Sequence, residues 1–142
     1  MAGYSSTPLV RKLGIKSGQF IAIIGGPKDY RAQLGELPPK VTWSHEIAGT
    51  LDLIQLFAGC RGDLESAFAR ALAHLAPAGA IWASWPKKSS GVDTDLDGNV
   101  VRGIGLGLGV VDVKVCAIDE TWSGLKFVRR LKDRQDSRRA PR

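Results

Sequence analysis

Apolar residues along this chain fall into short unbroken runs, and the segments between them carry helical spacing. Phe20–Ile24 is apolar at every position, the pattern of a strand buried on both faces. Residues 51–58, with Leu53, Ile54, Leu56 and Phe57 apolar, and residues 80–85 read the same way. Residues 113–118 and 124–130 predict two more strands, joined by a hairpin over 119–123. Residues 41–44 offer a weaker strand. Only six residues separate it from Leu51, whereas a parallel crossover normally takes about a dozen or more.

Capping chemistry marks the helices. Thr7 suits an N-cap, Pro8 the first helical position and Gly14 the left-handed stop, which predicts a short helix over 8–13. Pro27 suits the first turn of a second helix, ending near Gly35. Leu64, Ala67, Phe68, Ala71, Leu72 and Leu75 repeat at the helical period over 63–75, with Glu65, Arg70 and His74 off that stripe, and Pro77 and Gly79 stop it. Thr94 or Asp95 caps a fourth helix running to about Leu108. Its glycines at 103, 105 and 107 each cost about 1 kcal/mol against alanine, which points to close packing on the sheet or to a frayed helix.

Strands alternating with helices imply an α/β fold with a doubly wound, mostly parallel sheet that ends in an antiparallel hairpin. The length suits one domain, residues 1–131, followed by a disordered basic tail over 132–142. The net charge of +6 is mostly local: from Arg129 onward there are seven basic and two acidic side chains, so the body is nearly neutral. Cys60 and Cys116 lie far apart with no metal-ligand spacing, and no apolar run approaches the ~18–20 residues of a membrane span. Arg11 and Lys12 interrupt the start before any signal-peptide core. A cytoplasmic protein with free thiols and no membrane partner is the reading that follows.

A parallel series closed by one antiparallel strand resembles the class I S-adenosylmethionine-dependent methyltransferase fold, shortened and Rossmann-like. Asp52 to Trp85 is similar to its central section, including Leu75-Ala76-Pro77-Ala78-Gly79. More specifically, the chain resembles a bacterial family, domain of unknown function three-zero-five-two. The matching segments are Gly3-Tyr4-Ser5, Thr7-Pro8-Leu9, Lys12-Leu13-Gly14-Ile15-Lys16, Trp85-Pro86-Lys87-Lys88, and Lys114-Val115-Cys116-Ala117 through Trp122-Ser123-Gly124-Leu125. That resemblance implies the fold and brings no activity with it. The methyltransferase resemblance also implies a glycine-rich first loop and an acid after the second strand to hold the cofactor ribose. Here the loop is Gly25-Gly26-Pro27-Lys28, only Glu46 could supply the acid, and a strand-helix unit between residues 46 and 51 is missing.

Ligands of doubly wound sheets bind beyond the carboxyl ends of the strands. Gly25 and Gly26, Lys87 and Lys88, and Asp119, Glu120 and Trp122 should therefore gather at one edge as a ligand site. Gly25-Gly26-Pro27 would expose N–H groups at a helix N-terminus, although a tight structural turn explains the glycines better. The Gly103, Gly105 and Gly107 series follows no strand exit and is no phosphate loop. The lysines could hold an anion and Trp85 could stack on a ring. Asp119 and Glu120, adjacent and pointing apart, suit a hairpin turn better than a carboxylate pair. Cys60 stands beside Arg61 at a strand exit, Cys116 reads as inert core, His74 as exposed, and His45-Glu46 borders the edge if the weak strand forms.

These features favour a small non-catalytic or ligand-binding module on a shortened methyltransferase-like scaffold, with an anionic small molecule as partner. They assign no catalytic residue, metal or cofactor, and predict no tight binding of S-adenosylmethionine. An enzyme acting on an anionic small molecule, or a reduced methyltransferase, is the alternative. A weak nucleic-acid association through the basic tail is another.

Overall fold

A computed structural model describes residues 7–134 of the chain. Its six strands are β1 (Phe20–Ile24), β2 (Thr42–Ser44), β3 (Leu51–Phe57), β4 (Leu75–Pro86), β5 (Val110–Ala117) and β6 (Trp122–Arg129). They form one sheet in the order β2-β1-β3-β4-β6-β5. β2, β1, β3 and β4 are mutually parallel, and β6 inserts antiparallel between β4 and β5. The fold is α/β, mostly parallel and closed by the hairpin.

Period-two alternation divides the core into two layers. Ile21, Ile23, Leu53, Phe57 and Trp82 face α1 (Leu9–Leu13) and α2 (Tyr30–Leu34). Ala22, Ile54, Leu56, Ile81, Ala83 and Phe127 face α3 (Arg61–Leu72) and α4 (Gly98–Gly107). The weak strand exists. Its connection to β3 is short because residues 45–50 cross β1 without a helix, and Ile47 packs on the core in place of one.

Several boundaries differ from the sequence expectations, each for a local reason. α1 begins at Leu9, with Pro8 rather than Thr7 at the N-cap position, and Gly14 takes the expected left-handed cap. α2 begins at Tyr30, not near Pro27, because Pro27–Asp29 forms a turn in which the Pro27 carbonyl accepts the Tyr30 N–H at 3.0 Å. α3 ends at Leu72, and Pro77 and Gly79 lie in a bulge of β4. Gly79 is required there, since a Cβ would sit 2.9 Å from the Asp52 carbonyl oxygen. Asp97 caps α4 by accepting the Val100 N–H at 2.8 Å. Thr94 and Asp95, expected in that role, tie the loop to the Gly59 carbonyl and the Arg61 N–H. Of the expected tail, residues 132–134 belong to a helical turn after β6, and residues 135–142 lie outside the described residues.

Arg129, counted with the tail by charge, belongs to the body. Its guanidinium donates to the Leu72 and Leu75 carbonyls at 2.8 and 3.1 Å, capping the C-terminal end of α3. No helix among the described residues is long and apolar enough to cross a membrane.

Candidate functional site

The carboxyl edge carries two hollows, and α2 lines both. The first, about 260 Å³, lies beyond β1 and β2 and is lined by Gly25, Gly26, Lys28, Arg31, Trp43 and His45, with no carboxylate. Trp43 is 40 % exposed on the outermost strand, and the Arg31 guanidinium carbon stands 5.6 Å from its ring centroid. Arg31 is steadied by a 2.7 Å hydrogen bond to the Gly35 carbonyl. The second hollow is wider, about 720 Å³, and acidic, with Asp29, Asp119 and Glu120 beside Gln33. The edge is therefore split into a basic aromatic half and an acidic half.

Lys87 and Lys88 line neither hollow. Lys87 follows β4 directly, and its N–H donates to the Thr121 carbonyl at 2.8 Å, so the β4 exit and the hairpin tip share an edge. Trp85, expected to offer a face to a ring, is only 7 % exposed and packs in the α3/α4 layer. Trp122 is half-buried, edge-on to Phe57 with ring centroids 5.0 Å apart. Asp119 holds the hairpin: one carboxylate oxygen accepts the Thr121 and Trp122 N–H groups at 2.8 Å each, and the other accepts Gln33 Nε2 at 3.0 Å. Cys60 is exposed and Cys116 buried, both as free thiols. His74 is partly exposed, and its ring nitrogen lies 2.7 Å from the Gly49 carbonyl oxygen.

Gly25 has φ +73°, and a Cβ there would lie 2.7 Å from the Phe57 carbonyl oxygen. Gly26 packs on Ile23 and the Phe57 ring. Contact with the neighbouring strand therefore explains the paired glycines, and the expected helix N-terminus does not exist at that position. Sequence reasoning passed over Lys28, Arg31 and Trp43. Their signal was a tryptophan in an otherwise polar, exposed strand and two cations three residues apart.

Behind the edge, Tyr30 donates to Gln55 Oε1 at 2.8 Å, and Gln55 Nε2 reaches Ser84 Oγ at 3.5 Å, a buried polar row that hydrophobic patterning did not reveal. Burial pushes the Tyr30 phenol well above its ordinary value of 10.0, only partly offset by the Gln55 hydrogen bond. The folded state thus keeps a proton that the unfolded chain releases, and stability falls as pH rises past 10. Tyr30→Phe is expected to cost about 1–2 kcal/mol at neutral pH, through the orphaned Gln55 oxygen, and to flatten that alkaline decline. Urea denaturation of both forms between pH 7 and 11 measures each part, and an unchanged alkaline slope would contradict it.

Neither a protein-family model nor a curated protein matches this sequence. Solved structures do. A putative type 11 methyltransferase from Sulfolobus solfataricus superposes with TM-score 0.61 at 16 % identity, covering 86 % of this chain and 89 % of that one. The fold is methyltransferase-like. A ribosomal protein L11 methylase from Lactobacillus delbrueckii subsp. bulgaricus gives TM-score 0.54 at 13 % identity, covering 86 % and 75 %. TrmN from Thermus thermophilus gives 0.57 at 10 % identity, and this chain spans 86 % of itself but only 47 % of TrmN.

The methyltransferase-like fold implies S-adenosylmethionine as cofactor. The residues at the β1 and β2 exits do not fit it. The basic hollow has no carboxylate for a ribose, since His45 lines it and Glu46 does not.

Proposed function

We propose that this chain is a small-molecule-binding module on a methyltransferase-like scaffold, and that its ligand is an anion bearing a flat ring, with nucleotide-like chemistry. The observation that carries the reading is the basic hollow: Lys28, Arg31 and His45 line it together with one exposed indole, and no acidic side chain lines it. A guanidinium forks onto phosphate oxygens, and an exposed tryptophan stacks on a base. Membership in the domain-of-unknown-function family and a cytoplasmic setting accord with this reading and belong to the same proposal.

The test is a thermal-shift and calorimetric comparison of AMP, ADP and ATP with S-adenosylmethionine. A nucleotide at 100 times its Kd should stabilise by about 2.7 kcal/mol, a Tm rise of roughly 5–10 °C. Lys28→Ala and Trp43→Ala should each weaken binding by about tenfold. Stabilisation by S-adenosylmethionine alone would replace this reading with the second, a reduced methyltransferase, which the near full-length superposition on the Sulfolobus protein favours.

A further inference from the structure

Among the described residues, positive charge also gathers between α1 and the outer strand β5. A hollow of about 410 Å³ between α1 and the outer strand β5 is lined by Arg11, Lys12 and Lys114, with Cys116 beside them. Lys114 stands directly across the β5–β6 ladder from Lys126, a like-charged cross-strand pair that normally destabilises a sheet. Lys126 is half-buried, and its ammonium lies close to Gly14, just past the end of α1. Burial, then Lys114, then Lys16 hold that ammonium below the ordinary lysine value.

No acidic side chain lines this hollow, and none of these cations belongs to an ion pair among the described residues; the two bridges there, Arg61–Glu65 and Arg102–Asp112, lie elsewhere. Residues 1–6 contain no acidic side chain, and residues 135–142 carry Asp136 against three arginines. Helix capping accounts for one of the lysines, since Lys114 Nζ donates to the Lys12 carbonyl at 3.2 Å. It leaves Arg11, Lys16 and Lys126 unexplained.

We infer that the hollow between α1 and β5 is a second anion site, taking a small multiply charged phosphate anion of the pyrophosphate or triphosphate class. Arg11 at the rim supplies the fork geometry that phosphate oxygens accept; Lys12 and Lys114 line the hollow with it, and Lys126, across the ladder from Lys114 and outside the lining, adds to the field that favours more than one negative charge. The site is independent of the nucleotide-like reading of the carboxyl edge, whose cations are Lys28 and Arg31.

Pyrophosphate and tripolyphosphate would be titrated into the full chain by calorimetry at constant ionic strength, alongside Arg11→Ala, Lys126→Met and Lys28→Ala. The expected result is binding that weakens by about tenfold or more in Arg11→Ala and in Lys126→Met, with Lys28→Ala unchanged. Because Arg11 is exposed, its loss should leave the ligand-free Tm almost unaltered, which separates lost binding from lost folding. Three outcomes overturn the inference: no binding, binding that survives in Arg11→Ala and Lys126→Met, or binding abolished by Lys28→Ala alone. Binding of a single-stranded oligonucleotide through Arg11 without pyrophosphate binding would also overturn it, in favour of a nucleic-acid surface.

Discussion

Gly105→Ala should be strongly damaging, while the same change at Gly103 in the same helix should stabilise the chain. A Cβ on Gly105 would collide with the Phe127 ring, far inside contact distance. Phe127 cannot retreat: it is fully buried and edge-on to Phe68, with ring centroids 5.1 Å apart. Overpacking of this kind costs about 1–3 kcal/mol and more where neighbours are pinned, so roughly 3 kcal/mol and a Tm loss near 10 °C are expected. Gly103 and Gly107 meet nothing within 4 Å and have no left-handed φ. Alanine at either should gain about 0.5–1 kcal/mol by restricting the unfolded chain. Equal effects at 103 and 105, read by thermal and urea denaturation, would refute the packing account.

That contrast also shows how far sequence reasoning reached. Three glycines in one helix allowed close packing or fraying, and the structure assigns close packing to Gly105 alone. The continuous apolar runs of β1, β3 and β4 were legible because both faces of those strands are covered. β2 was faint because Thr42 and Trp43 are both exposed at the sheet margin, so the strand shows no alternating burial. The break over 75–79 read as a helix stop, since proline and glycine punctuate loops and bulges alike.

Topology made the carboxyl edge legible, but not its division. Whether Asp119 and Arg31 share a cavity depends on which side of α2 each residue lies, and strand order says nothing of that. The lysine cluster was still less visible. Lys12 and Lys114 are separated by 102 positions and meet only because α1 lies across the β5–β6 end of the sheet. In composition the body looked neutral; in space its charges are segregated.

Trp82 joins these features, and its removal is the second large effect expected. The side chain is fully buried in the middle of β4, on the face covered by α1, and its indole N–H donates to the Leu13 carbonyl at 2.8 Å. α1 has only five residues, too few to be helical alone, so tertiary contacts must hold it. Val10 and Leu13 supply the apolar part of that hold, and the indole bond fixes the end of the helix. Trp82→Ala should cost about 3–5 kcal/mol, a Tm loss of roughly 10 °C or more. Trp82→Phe keeps most of the volume but orphans the Leu13 carbonyl, at a cost of about 1–3 kcal/mol. The phenylalanine variant carries the sharper consequence. Loosening α1 moves Arg11 and Lys12 away from Lys114, so pyrophosphate binding should weaken while nucleotide binding beyond β1 and β2 persists. Hydrogen exchange would then show lost protection over residues 10–15 with β3 and β4 unaffected. Uniform loss of protection across the sheet would mean that Trp82 supports the whole core rather than the seating of α1.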